Sequence, residues 1–162
     1  MKTIYLMRHG KSKRGPEYET DYERPLGKRG KRDAVRMGEY LAERGLLPDL
    51  IVSSPAERAR ETALRFAETA DCGAEIRFEE TLYFSDDQAY LGLIWGLDGM
   101  LASVMFVGHN PATESVIETL SDSYAHMPTG AVACIQFEVE TWGEIEEGMG
   151  QLAWVERPRE LE

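Results

Sequence analysis

The sequence predicts an α/β fold, a three-layer α/β/α sandwich whose sheet is mainly parallel with an antiparallel C-terminal pair. Three observations predict it. Short apolar runs alternate with stretches of helical period. The runs at 2–8, 49–54 and 103–108 each stop at a break, Gly10, Ser54-Pro55 and Asn110-Pro111 respectively. The last two apolar runs are separated by a Gly- and Glu-rich turn at 143–149 instead of a helix. Strands alternating with helices bury a parallel sheet between helical layers, and a hairpin at the end adds antiparallel strands to it.

The elements follow in order. Residues 2–8, KTIYLMR, are short and rich in β-formers, which predicts a buried first strand. Over 27–45, Ala34, Gly38, Leu41 and Ala42 recur on one helical face with Met37 beside them; Lys28, Arg29, Lys31, Arg32 and Arg36 fall elsewhere, as a solvated basic face. Pro48 introduces DLIVSS, the second strand. In the next helix Ser54 is expected as N-cap, Pro55 at the first helical position and Glu57 as the partner in a capping box. Ala59, Ala63, Phe66, Ala67 and Ala70 form its inner stripe. A weaker strand is expected at 75–78 and a helix at 86–97. SVMFVG at 103–108 reads as a central strand, and Asn110-Pro111 as the cap of a helix with Ala112, Val116, Ile117 and Leu120 inward. The closing hairpin is expected from 131–139 and 150–156.

Bulk properties narrow the function. A chain of 162 residues suits one domain, spanning 1–162, with a real hydrophobic core. The apolar stretch before Arg8 is too short for a secretory leader, and no run is long enough to span a membrane. Cys72 and Cys134 lack metal-ligand spacing and read as small hydrophobes, so a reducing cytoplasm is expected, with no metal and no cofactor. The net charge of −11 argues against a nucleic-acid partner. Any anionic ligand must then be held by a local cluster of positive charge.

Such a cluster is predicted where the strands end. Arg8-His9-Gly10, Ser53-Ser54-Pro55 with Arg58, and Gly108-His109-Asn110 each lie at or just past the carboxyl end of a predicted parallel strand, the end where open α/β sheets bind ligands. Arg58 also falls in a first helical turn, where free N–H groups favour an anion. Arginine offers a planar, permanently charged fork to tetrahedral oxyanions. Neutral imidazole adds a lone pair that can attack phosphorus and split one displacement into two. Read singly, His9 and His109 could be ordinary buried histidines and Arg58 a surface arginine; their shared placement favours a phosphate site. His126 has no such pattern and is expected to be structural or exposed. Glu144, Glu146 and Glu147 read as a solvated acidic turn.

These residues carry a resemblance. LMRHGKS at the start, DYERPLGKRG at 21–30, SSPAERARETA at 53–63, VGHNP at 107–111 and MPTGA at 127–131 occur in an order that resembles the histidine phosphatase superfamily, formerly grouped with phosphoglycerate mutases, and within it the SixA-type phosphohistidine phosphatases. The resemblance runs from Met1 to about Phe137. It implies a phosphoglycerate mutase-like fold and a hydrolase with His9 as nucleophile, Arg8 and Arg58 on the phosphate, and His109 as a further donor. It also implies that Gly10, Lys11, Ser12 and Asn110 line the phosphate pocket. Many members place an acidic general acid after the third strand. Here Glu79 and Glu80 lie nearby, but TLYFSDD is similar to the SixA pattern, which lacks a clear acid, so neither glutamate is carried over.

The expected substrate is a phosphorylated protein, phosphohistidine first, because the chain is too short for the inserted lid of larger relatives. A small phosphate ester and a non-catalytic phosphate- or phosphoprotein-binding module stay open as alternatives. Phosphate, sulfate or vanadate are expected pocket ligands. The charged connection 11–26, beside His9, is expected to face substrate.

Overall fold

The computed structural model of the chain describes residues 1–18 and 20–161. Six strands form one sheet in the order β3-β2-β4-β1-β5-β6: β1 (Lys2–Arg8), β2 (Leu50–Ser53), β3 (Glu75–Phe78), β4 (Ser103–Gly108), β5 (Val132–Phe137) and β6 (Gln151–Glu156). The first four are parallel; β5 runs antiparallel to β1, and β6 antiparallel to β5. The helices are α1 (Lys28–Glu43), α2 (Glu57–Ala70), α3 (Asp87–Trp95) and α4 (Ala112–Ser121). Each expected element is present: β1, β3 and β4 have the expected bounds, and the other elements end slightly inside theirs. Element ends are the part of a sequence reading that local periodicity fixes least.

Alternation along the strands divides the core in two. Ile4, Leu6, Val104 and Phe106 face one way and pack on Tyr90, Ile94, Val116, Ile117 and Leu120 of α3 and α4. Tyr5, Met7, Ile51, Met105 and Val107 face the other way and pack on Met37, Leu41, Ala63 and Phe66 of α1 and α2. The basic run of α1 lies outside this stripe: Lys28, Arg29 and Arg32 are exposed, and Arg36 donates to the Pro158 carbonyl at 3.2 Å. Among the described residues no helix is long and apolar enough to cross a membrane.

Two caps differ from expectation. The N-cap of α2 is Ala56, with no side-chain cap, and that of α4 is Pro111, also uncapped by a side chain. Ser54 and Asn110 are drawn away by stronger tertiary partners, described below.

Candidate active site

The strand order sets β2, β4 and β1 side by side, so their carboxyl ends bring Ser54, His109 and His9 together. Two glycines allow the chain to leave these ends closely packed. A Cβ on Gly10 would stand 2.8 Å from the Gly30 carbonyl oxygen, and one on Gly108 would collide with the Tyr90 hydroxyl. The Gly10 N–H donates to Thr62 Oγ1 of α2 at 3.0 Å, which fixes the turn after His9 against the helix that carries Arg58.

His9 is 7% exposed. Its Nδ1 lies 2.7 Å from the Gly10 carbonyl oxygen. A carbonyl only accepts, so Nδ1 carries the proton and Nε2 keeps its lone pair. Arg58 Nε points at that lone pair from 3.4 Å. Burial pushes the His9 pKa down to about 3; His109, Arg58 and Arg8 add to the effect, against the Gly10 hydrogen bond. The ring is therefore a neutral base with one defined nucleophilic nitrogen at physiological pH.

The two histidine rings stand 5.1 Å apart. His109 Nε2 lies 2.8 Å from Ser54 Oγ, and Ser54 Oγ already accepts from the Ala56 N–H at 3.3 Å. The buried hydroxyl proton needs an acceptor, and Nε2 supplies it. The imidazole proton then sits on Nδ1, a buried donor with no partner among the described residues. Burial, then Arg58 and Arg8, hold the His109 pKa down to about 4, opposed by Asp21. Ser54 is thus the orienting partner of His109 instead of a helix cap.

Arg8 is held from the far side. Its Nη1 donates to the Met127 carbonyl at 3.1 Å, while its Nε is buried with no partner among the described residues. Asn110 Nδ2 donates to the same carbonyl at 3.0 Å and to Glu114 Oε2 at 3.2 Å. Glu114 Oε2 also accepts from the Met127 N–H at 2.7 Å. Asn110 and Glu114 therefore set the segment that sets Arg8, which explains why Asn110 does not cap α4. His126 is exposed, with Nδ1 3.3 Å from Glu114 Oε2.

Sequence reasoning missed Asp21 as a member of the site. Its carbonyl and its Oδ2 accept from the two terminal nitrogens of Arg58, each at 2.8 Å, and Oδ2 accepts from the Tyr83 hydroxyl at 2.9 Å. Partial burial works to raise the Asp21 pKa, but hydrogen bonds from Tyr83, Arg58 and Arg24 with the Arg58 charge outweigh it, bringing it to about 2. Arg24 braces the 11–26 connection by donating to the Lys13 carbonyl, Asp21 Oδ1 and Ser12 Oγ. Ser12 is thereby engaged by Arg24, and Lys11 is exposed. The return of the chain through Leu26 and Gly27 makes both hairpin residues; like Arg8, His9 and Gly10, they are not wall residues of the open cleft that Arg58 and His109 border. That cleft encloses about 350 Å³ and is walled by Asp21, Arg58, Tyr83, Phe84, His109 and Asn110, among others. Glu79 and Glu80 do not line it.

Buried N–H groups are nearly always paired. Here two unpaired donors, from Arg8 and His109, accompany a neutral nucleophilic nitrogen and the Arg58 fork. Such a site suits a tetrahedral oxyanion whose central atom is attacked by His9.

Comparison with known proteins agrees with the geometry. Residues 4–83 match the family model "Histidine phosphatase superfamily (branch 1)". The chain is 31% identical over 120 residues to the uncharacterized protein ML1117 of Mycobacterium leprae, covering 72% of each. It superposes on a structure described as the putative phosphohistidine phosphatase SixA from Agrobacterium tumefaciens with a TM-score of 0.83 and 28% identity, over 97% of this chain and 98% of that one. A structure described as the protein histidine phosphatase SixA complexed with tungstate shares the fold, with a TM-score of 0.85, 20% identity and 99% coverage of both. The sheet order, the paired histidines at its strand ends and these matches together make the chain a member of the histidine phosphatase superfamily, with a SixA-like fold.

Proposed function

We propose that the protein is a phosphatase that hydrolyses protein phosphohistidine through a phosphohistidine intermediate on His9. The observation that carries this reading is the pairing of a neutral His9 Nε2 lone pair with buried, unsatisfied donors on Arg8 Nε and His109 Nδ1.

In the first step Nε2 attacks phosphorus while the substrate nitrogen or oxygen departs in line. Arg8, Arg58 and His109 Nδ1 donate to the three equatorial oxygens, where charge gathers. Water then attacks phosphohistidine, and His9 leaves as the ring it was before. The Gly10 carbonyl holds the Nδ1 proton throughout, keeping Nε2 the reacting atom.

The substrate class follows from what is missing as well as from what is present. Among the described residues, no carboxylic acid in the cleft is free to protonate a departing alkoxide: Asp21 is held ionised, and Glu79 and Glu80 do not line it. General acid help is worth about 10²–10⁴ in rate. A P–N bond to imidazole needs little of it. The cleft mouth is also uncovered, with Phe84 at its rim 88% exposed, which suits a protein surface. The occurrence of tungstate in a SixA relative fits an oxyanion ligand here.

The test is kcat/KM for a phosphohistidine protein, an aryl phosphate and glycerol phosphate, with acid-labile phosphate on the enzyme trapped during turnover. The expected rank is in that order. Equal efficiency on glycerol phosphate contradicts the substrate assignment, and an absence of enzyme-bound phosphate contradicts the covalent route.

A further inference from the structure

Resting on that reading, we propose that Asp21, Tyr83 and Phe84 form a leaving-group subsite that binds the substrate's phosphorylated imidazole in its cationic form, protonated on the distal ring nitrogen, before the P–N bond breaks. His9 is buried behind Arg58 and His109, two residues that wall the cleft, so an in-line leaving group must depart on the opposite side of phosphorus, toward the mouth. The walls it meets there are Asp21, Tyr83 and Phe84. Tyr83 and Phe84 have ring centroids 4.3 Å apart; Tyr83 packs edge-on against His109 at 5.6 Å and against Tyr22 at 4.9 Å. The Tyr83 hydroxyl in turn fixes the Asp21 carboxylate. An exposed aromatic face beside a fixed carboxylate is chemistry for a flat cation. A neutral sugar or glyceryl group has no use for it.

The floor and the mouth thus carry opposite preferences: cationic groups below for the phosphoryl oxygens, a carboxylate and aromatic rings above. A phosphohistidine protonated on its distal ring nitrogen is such a zwitterion. Its cleavage balances without a general acid. The P–N bond breaks, its electron pair returns to the ring, the distal nitrogen keeps its proton, and neutral imidazole leaves as the bond from His9 Nε2 to phosphorus forms. Asp21, by accepting from that distal N–H, keeps the reactive protonation state populated to higher pH. Asp21 also orients Arg58, so its removal affects every substrate; the subsite role appears in the difference between substrates.

The experiment compares Asp21→Asn, which keeps an oxygen acceptor for Tyr83 and Arg58, with wild type on Nε-phosphohistidine and on an aryl phosphate. The expected result is a fall of tenfold or more in the ratio of the two kcat/KM values. The alkaline limb of kcat on phosphohistidine should move down by about one pH unit. Phe84→Ala, at a position too exposed to threaten the fold, should raise KM for phosphohistidine about two- to fivefold. Equal losses on both substrates with an unmoved alkaline limb would overturn the subsite and leave the phosphatase reading standing. Wild-type turnover of the aryl phosphate but not of phosphohistidine would remove the substrate assignment and the subsite together.

Discussion

Arg58 is held by its outer edge and works by its inner one. Asp21 accepts from both terminal nitrogens at 2.8 Å, which leaves Nε directed at His9 Nε2, 3.4 Å away. The guanidinium is thereby pre-aimed at the place where, in the proposed mechanism, the phosphoryl group sits to be attacked. A preorganised donor of this kind is worth far more than one that must reorient during reaction.

Arg58→Ala should therefore cut kcat by about a hundredfold or more, the usual cost of one such donor. Arg58→Lys should recover little, because a single ammonium cannot bind Asp21 and the phosphoryl group in one plane. Steady-state kinetics with an aryl phosphate decide the matter. A lysine variant near wild type would show that charge alone suffices.

His9→Ala should leave a folded protein with under about 1% of wild-type turnover, since no second nucleophile faces the site among the described residues. Circular dichroism establishes the fold, and acid-labile phosphate should no longer form on the protein.

Ser54→Ala tests the tautomer of His109. Without the hydroxyl, Nε2 loses its hydrogen-bond donor and the imidazole proton is free to move from Nδ1 to Nε2, turning a phosphoryl donor into a lone pair. A hydrogen bond of this type contributes about 1 kcal/mol, so kcat is expected to fall about fivefold to tenfold with little change in Tm. A variant with wild-type kcat would mean that Nδ1 carries the proton without help.

The histidine pKa values fix a pH dependence. His9 and His109 are lowered to about 3 and about 4 from 6.5. Between about pH 6.5 and those values the unfolded chain binds protons that the folded chain refuses. Stability should thus be level near neutrality and fall as pH drops from about 6.5 toward 4. Asp21, lowered to about 2, adds a loss only below its unfolded value near 3.8. The ring resonances of His9 and His109 should show no inflection between pH 5 and 8 in NMR titration. An inflection near 6.5 from either would place it in a wetter site than its burial implies.

Chelation should leave turnover unchanged, because Arg8 and Arg58 supply the positive charge that a metal ion supplies elsewhere, whereas vanadate should inhibit. Activity lost in chelator and restored by a divalent cation would contradict this.

Much of this protein was readable from its residues in order. Strand and helix assignments rest on local periodicity, and Gly10, Pro55 and Pro111 mark breaks wherever they stand. The right-handed crossings of β-α-β units then place Arg8-His9, Arg58 and His109 at one edge of the sheet. The hairpin that holds Lys11 and Ser12 was not legible, because adjacency to His9 in sequence says nothing about how the chain turns back through Leu26. Asp21, Tyr83 and Ser54 had no local signal as site residues. Their partners lie 37, 62 and 55 positions away in the chain: Arg58 for Asp21, Asp21 for Tyr83, and His109 for Ser54. The identity of the proposed attacking histidine belongs to the sequence. Which of its nitrogens attacks, and which donors wait unpaired for the phosphoryl oxygens, belong to the tertiary structure, because a tautomer and a buried unsatisfied N–H exist only once distant groups have been brought together and water excluded.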